Sequence, residues 1–121
     1  MAKTVTTEGG FPNFTPGDTV RVDVVCQIGD SAEDITADTV RFFLKEKIGD
    51  SDANAVINKL LDVTTQGADG IAKLTLESDD TDDVDPGFYY YEFVWERANG
   101  DEYTFPKPPQ RVQVYERVSD A

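Results

Sequence analysis

The chain has 121 residues, room for one domain with one core and little else. Apolar residues make up 39% and aromatics 11%, enough for a packed interior, which excludes wholesale disorder. Eleven Lys and Arg face 24 Asp and Glu, a net charge of -13, so phosphate backbones and anionic membrane surfaces are disfavoured as partners by repulsion, and the expectation is no nucleic acid and no membrane; solubility, a basic partner or a bound cation are left.

Residues 1–17 read as an N-terminal arm or edge strand, and residues 18–121 as the domain proper. The first residues, Met1-Ala2-Lys3-Thr4-Val5-Thr6, carry no apolar signal core. No segment approaches the roughly 20 apolar residues that cross a bilayer. The expectation is synthesis and folding in the cytoplasm. Thr15-Pro16-Gly17-Asp18 is a turn, with Pro presetting φ and Gly tolerating positive φ.

Residues 19–28 alternate. Val20, Val22, Val24, Cys26 and Ile28 share one face, and Thr19, Arg21, Asp23 and Gln27 the other, the period-two mark of a strand with one wet side. A polar loop from Gly29 to Asp38 follows. The next strand spans about 39–47, with Val40, Phe42 and Leu44 inward and Arg41, Phe43 and Lys45 outward. Residues 49–54 read as a loop. Its Asp50-Ser51-Asp52-Ala53-Asn54-Ala55 mimics the start of an EF-hand, but Ala55 stands where that motif needs Gly and Leu61 where it needs Glu.

Residues 55–64 fit two patterns. Val56, Ile57, Leu60 and Leu61 suit a helical turn, whereas Val56, Ile57, Val63 and Thr64 favour a strand, the reading chosen. After a turn at Gln66–Gly70, residues 71–77 form a strand with Ala72, Leu74 and Leu76 inward. Then comes an acidic run, Glu77-Ser78-Asp79-Asp80-Thr81-Asp82-Asp83-Val84-Asp85. Such a run is either a solvated loop capped by its own side chains or a weak calcium candidate through Asp79, Asp80, Asp82, Asp83 and Asp85.

Residues 88–97 form the most aromatic strand, with Tyr89, Tyr91, Phe93 and Trp95 inward and Phe88, Tyr90, Glu92, Val94 and Glu96 outward. Asn99-Gly100 is a hairpin signal. Tyr103–Phe105 make the return strand. Pro106, Pro108 and Pro109 interrupt it as an edge or bulge, and a last strand covers about 110–118 with Val112 and Val114 inward. The sum is an all-β, two-sheet sandwich of about seven strands.

Enzyme chemistry lacks its usual parts. There is no histidine, which removes the common general base and most zinc sites. The single cysteine, Cys26, cannot form an intrachain disulfide and falls on an inward face, where a thiol is inert. Glu92 and Glu96 lie on a wet face, without the apolar pocket that raises a carboxyl into acid–base service. Catalytic residues and cofactors are therefore expected to be absent. The candidate site is a contact surface on the outer face of the third, sixth and last strands. It comprises Arg41, Phe43 and Lys45, Tyr90 and Val94, and Tyr115 beside Arg111, Gln113 and Arg117.

Asp85-Pro86-Gly87-Phe88-Tyr89-Tyr90-Tyr91 resembles the tyrosine corner of immunoglobulin-like domains, the alternative being an ordinary Pro-Gly turn before an aromatic strand. By that resemblance Tyr89 pins the loop through nearby backbone. Tyr91 stands at the second cysteine position, which leaves Cys26 without a partner. A wider resemblance runs through Thr15–Val20, through Ile71–Leu76 with Asp80-Thr81, and through Pro86–Phe93 with Asn99-Gly100 and Arg111–Val114. Together these look like the immunoglobulin-like modules of bacteriophage virion proteins, such as tail, baseplate and neck components. The resemblance implies a non-enzymatic structural role in the virion, through contacts with other virion proteins or copies of itself as a homo-oligomer in the particle. The alternative is a β-sandwich module that binds carbohydrate or a cell surface.

Overall fold

A computed structural model of the chain describes residues 4–7, 11–29 and 31–116. Residues 117 and 118 of the predicted last strand, Arg117 among them, residues 1–3 and 8–10 of the predicted arm and Asp30 of the predicted loop lie outside the described residues. Among those described, the elements are β1 (Thr4–Thr7), β2 (Val20–Ile28), β3 (Ser31–Ala32), β4 (Thr39–Lys45), β5 (Ile57–Leu60), β6 (Ile71–Leu76), the single turn α1 (Ser78–Thr81), β7 (Gly87–Glu96) and β8 (Glu102–Val114).

Two antiparallel sheets face each other. In the first, β2 is flanked by β1 on one side and by β6 and the short β3 on the other; the second runs β5-β4-β7-β8. The chain crosses from one sheet to the other between β3 and β4, between β5 and β6, and between β6 and β7, as in an immunoglobulin-like sandwich. Asp62 joins the two layers along one side by an antiparallel bridge to Lys73 of β6.

The alternation read from the sequence sets the core. Val20, Val22, Val24 and Cys26 of β2 are buried against Val40, Phe42 and Leu44 of β4 and Tyr89, Tyr91, Phe93 and Trp95 of β7. Aromatic rings make the centre: Phe42 and Phe93 lie 5.3 Å apart by centroids, and Phe93 stacks on Phe105 at 5.4 Å. Such pairs add about 0.5–1.5 kcal/mol each beyond their buried area. Cys26 is fully buried, and burial pushes its thiol up to about 12. The ambiguous 55–64 segment is a strand over Ile57–Leu60 only.

The proline-rich stretch does not end the return strand. β8 stays continuous at the sheet edge; Tyr91 faces Gln110 while Phe93 faces Phe105, so residues 106–109 swell out of the ladder, with a cis bond at Phe105-Pro106. A bulge is the place for residues that cannot donate to a ladder.

The segment before Asp18 serves both layers. Thr4–Thr7 pairs with β2, whereas Phe14 bridges Val114 of β8 in parallel. Between them Phe11 stacks on Phe42 at 4.8 Å and lies 5.1 Å from Tyr91. Phe11 and Phe14 therefore belong to the common core, which no periodicity in residues 11–17 announced.

Candidate functional site

Strand directions place one set of segments at the same end of the sandwich. β4 ends there, β7 begins there and β8 ends there, since Lys45 pairs with Tyr90 and Gly87 with Val114. β6 ends there too, leading into α1. The α1 turn is tied down by Thr81, fully buried, whose hydroxyl donates to Asp18 O at 2.7 Å and accepts from Gly17 N at 3.0 Å. Next to it Tyr89 donates its phenol proton to Asp85 O at 2.6 Å. That is the bond expected of a tyrosine corner, and it fixes where β7 starts.

The outer face of β4, β7 and β8 carries the predicted contact residues, and the ladder brings most of them together. Lys45 pairs with Tyr90, Tyr90 with Arg111, and Arg41 with Val94. Tyr115 follows β8 on the same side as Arg111 and Gln113 by strand parity. It is held by its own N–H to Phe14 O (2.9 Å), and its hydroxyl accepts from Asn13 Nδ2 at 3.3 Å. Tyr115 is 46% exposed; Tyr90 and Val94 are half-buried.

Phe43 and Lys45 correct the sequence reading. Both point to the outer face, yet both are buried, at 4% and 8% exposure. The cause is the 49–54 segment. Lys45 Nζ donates to Asp50 O at 2.8 Å and to Asp52 Oδ1 at 2.9 Å, and Glu92 Oε1 lies 3.7 Å away. The ammonium draws the Asp52–Asn54 turn down over the sheet and sits 5.3 Å from the Phe43 ring centroid. Phe43 and Lys45 are thus outer-face core residues and offer no free contact surface. Arg41 remains exposed, bonded to Asn58 Oδ1 at 3.0 Å.

Phe88 is the residue the sequence reading passed over. It is 53% exposed and lies under the Arg111 guanidinium, 4.4 Å from the ring centroid. The period-two count puts it on the outer face with Tyr90, but the predicted contact set does not include it. The exposed surface is therefore centred on Phe88, Tyr90, Arg111 and Tyr115, further toward the α1 end than predicted.

The acidic run forms a capped turn. Asp80 Oδ2 accepts from Glu77 N at 2.7 Å and from Lys59 Nζ at 2.8 Å. Burial works to raise the Asp80 carboxyl, but the Lys59 and Glu77 bonds outweigh it and hold it below the usual range. Asp79, Asp82, Asp83 and Asp85 are exposed. Among the described residues no three carboxylates converge as metal ligands would.

Two clefts open on this face. One, of about 190 Å³, lies between Ile48 and Tyr90; the other, of about 230 Å³, between Arg41 and Glu102. Pockets for small organic ligands run to roughly 300–1,000 Å³, so neither would enclose one.

The opposite end is built differently. Asp38, buried, accepts from Trp95 Nε1 at 2.9 Å and from Ala98 N at 3.0 Å. Arg97 Nε lies 2.9 Å from the same carboxylate, close enough for charge pairing but not aligned as a hydrogen bond, and Arg97 Nη1 donates to Glu33 at 3.2 Å. Every charge in this cluster has an internal counterpart, which marks it as structural.

No family model matches the chain, and no curated protein matches it.

Proposed function

We propose that the protein is a non-enzymatic structural subunit of a bacteriophage particle, from its tail, baseplate, neck or head-associated parts. It works through protein–protein contacts with other virion proteins or with copies of itself. The observation that carries the contact role is the Phe88–Tyr90–Arg111–Tyr115 surface, where Phe88 and Tyr115 are about half exposed and the Arg111 guanidinium lies over the Phe88 ring. Aromatic residues and Arg are the usual anchors of protein interfaces. The virion assignment is supported by the three segments that resemble phage immunoglobulin-like modules, and the bond from Tyr89 to Asp85 fits the corner motif within them. The carbohydrate-binding alternative has less support, because Trp95, the single tryptophan, is buried and its Nε1 is taken by Asp38.

Mass spectrometry of purified particles tests the reading. The chain should be recovered at a fixed stoichiometry with the other virion proteins. Recovery from the infected-cell lysate but not from particles would overturn it.

A further inference from the structure

We infer that the exposed surface at the α1 end takes a second copy of this chain in a two-fold contact, with the acidic turn 77–85 of one copy set against Arg111 and Phe88 of the other. The inference rests on the subunit reading above and names the occupant of its surface.

Three observations carry it. The first is placement. Two residues separate Phe88 from the acidic run, Phe88 pairs with Gln113 and Tyr90 with Arg111, so a cationic–aromatic surface and an acidic turn share one end of the fold. The second is charge. In a chain with 24 acids and 11 bases, Arg111 is exposed and makes no ion pair among the described residues; it rests on a ring instead. Of the acidic run only Asp80 has a cationic partner there, Lys59, while Asp79, Asp82, Asp83 and Asp85 face solvent. The third is symmetry. A two-fold interface uses the same patch on both copies, so whatever residue i of one copy touches, its symmetry mate touches in reverse. An end of the fold that carries both an acidic and a basic part satisfies that rule, because each part meets its opposite.

The net charge of -13 sets a condition on this contact. Two such bodies repel at long range, whereas charge pairs at the interface attract at short range. At roughly 0.1 M salt the Debye length is about 10 Å, which screens the distant repulsion and leaves close pairs mostly intact; at 1 M it is about 3 Å. Association should therefore rise from low to moderate salt and fall again at high salt.

Light scattering and sedimentation equilibrium of the purified full chain test this, with two charge reversals. Arg111→Glu sets acid against acid, and the double variant Asp82→Lys, Asp83→Lys sets base against base. Each alone should bind itself at least about tenfold more weakly than wild type. Mixed in equal amounts they should pair, since both contacts become attractive. All these side chains are exposed, and circular dichroism checks that the fold is kept; Arg111→Ala, which should also weaken dimers, serves if a reversal fails to fold. A monomeric wild type at every salt concentration, reversed variants that dimerise normally, or a mixture that stays monomeric would each overturn the two-fold contact. A chain that is monomeric alone yet present in particles removes this inference and leaves the subunit reading standing; a dimer absent from particles does the reverse.

Discussion

The two ends of the sandwich handle charge in opposite ways. At the Trp95 end, Asp38 is buried and Arg97 and Glu33 partly so, and they are spent on one another and on the indole N–H. At the α1 end, Asp82, Asp83 and Arg111 face water, and two aromatic rings are about half exposed. A cluster whose groups all find internal partners secures a fold, because removing one member strands the others. A surface whose groups lack them can be changed at little cost to folding, which leaves it free for contacts.

That contrast can be broken at several points. The largest effect is expected at the Trp95 end. Asp38→Ala leaves Arg97 and the indole N–H without their carboxylate, and should cost about 3–5 kcal/mol in urea unfolding. A loss under about 1 kcal/mol would show the cluster to be dispensable. The next comparison sets two outward phenylalanines against each other. Phe43→Ala should cost about 3 kcal/mol or more, since the ring is closed in by the 49–54 segment, whereas Phe88→Ala should stay within about 0.5 kcal/mol. Equal costs would mean that the segment does not cover Phe43. Tyr89→Phe removes one buried hydrogen bond and should cost about 1 kcal/mol.

Smaller still is an acid effect. The Thr65 hydroxyl, followed by the Thr64 N–H and hydroxyl, holds the exposed Asp62 carboxyl well below the usual carboxylate range. A depressed folded-state value contributes stability above the unfolded value of about 3.9, and that contribution is lost as pH falls through the folded value. Asp62→Asn should therefore flatten the stability profile below about pH 4 and leave its slope near neutrality unchanged. A variant that loses stability as steeply as wild type on acidification would remove Asp62 from the account. Finally, Cys26, with its thiol pushed up to about 12, should resist alkylation in the folded chain at neutral pH and react once the chain is unfolded in urea.

The legible parts of this fold were those set by local pattern. Val20, Val22, Val24 and Cys26 declare their face through alternation, and Asp85, Gly87 and Tyr89 declare the corner through spacing within one turn. What stayed hidden depends on distant segments. Nothing near Phe43 or Lys45 says that Asp50 and Asp52 will fold back over them, because that closure is made by an ammonium reaching across a loop. Phe11 and Phe14 sit among Gly, Pro and Asn with no period to follow; Phe11 packs on Phe42 and Tyr91, and Phe14 bridges β8, a hundred residues on. The contact surface was legible as a face but misplaced along it, since alternation gives the side of a sheet and not what else covers that side.

The stretch from Thr4 to Phe14 has a mechanical consequence. It begins on one layer, sends Phe11 through the middle and fastens on the other. A pull on the start of the chain therefore meets the pairing with β2 first and finds the Phe14 bridge to β8 behind it. Cutting the backbone between Thr7 and Phe11 would uncouple the two anchors, and β1 would then peel from β2 without loading the bridge to β8.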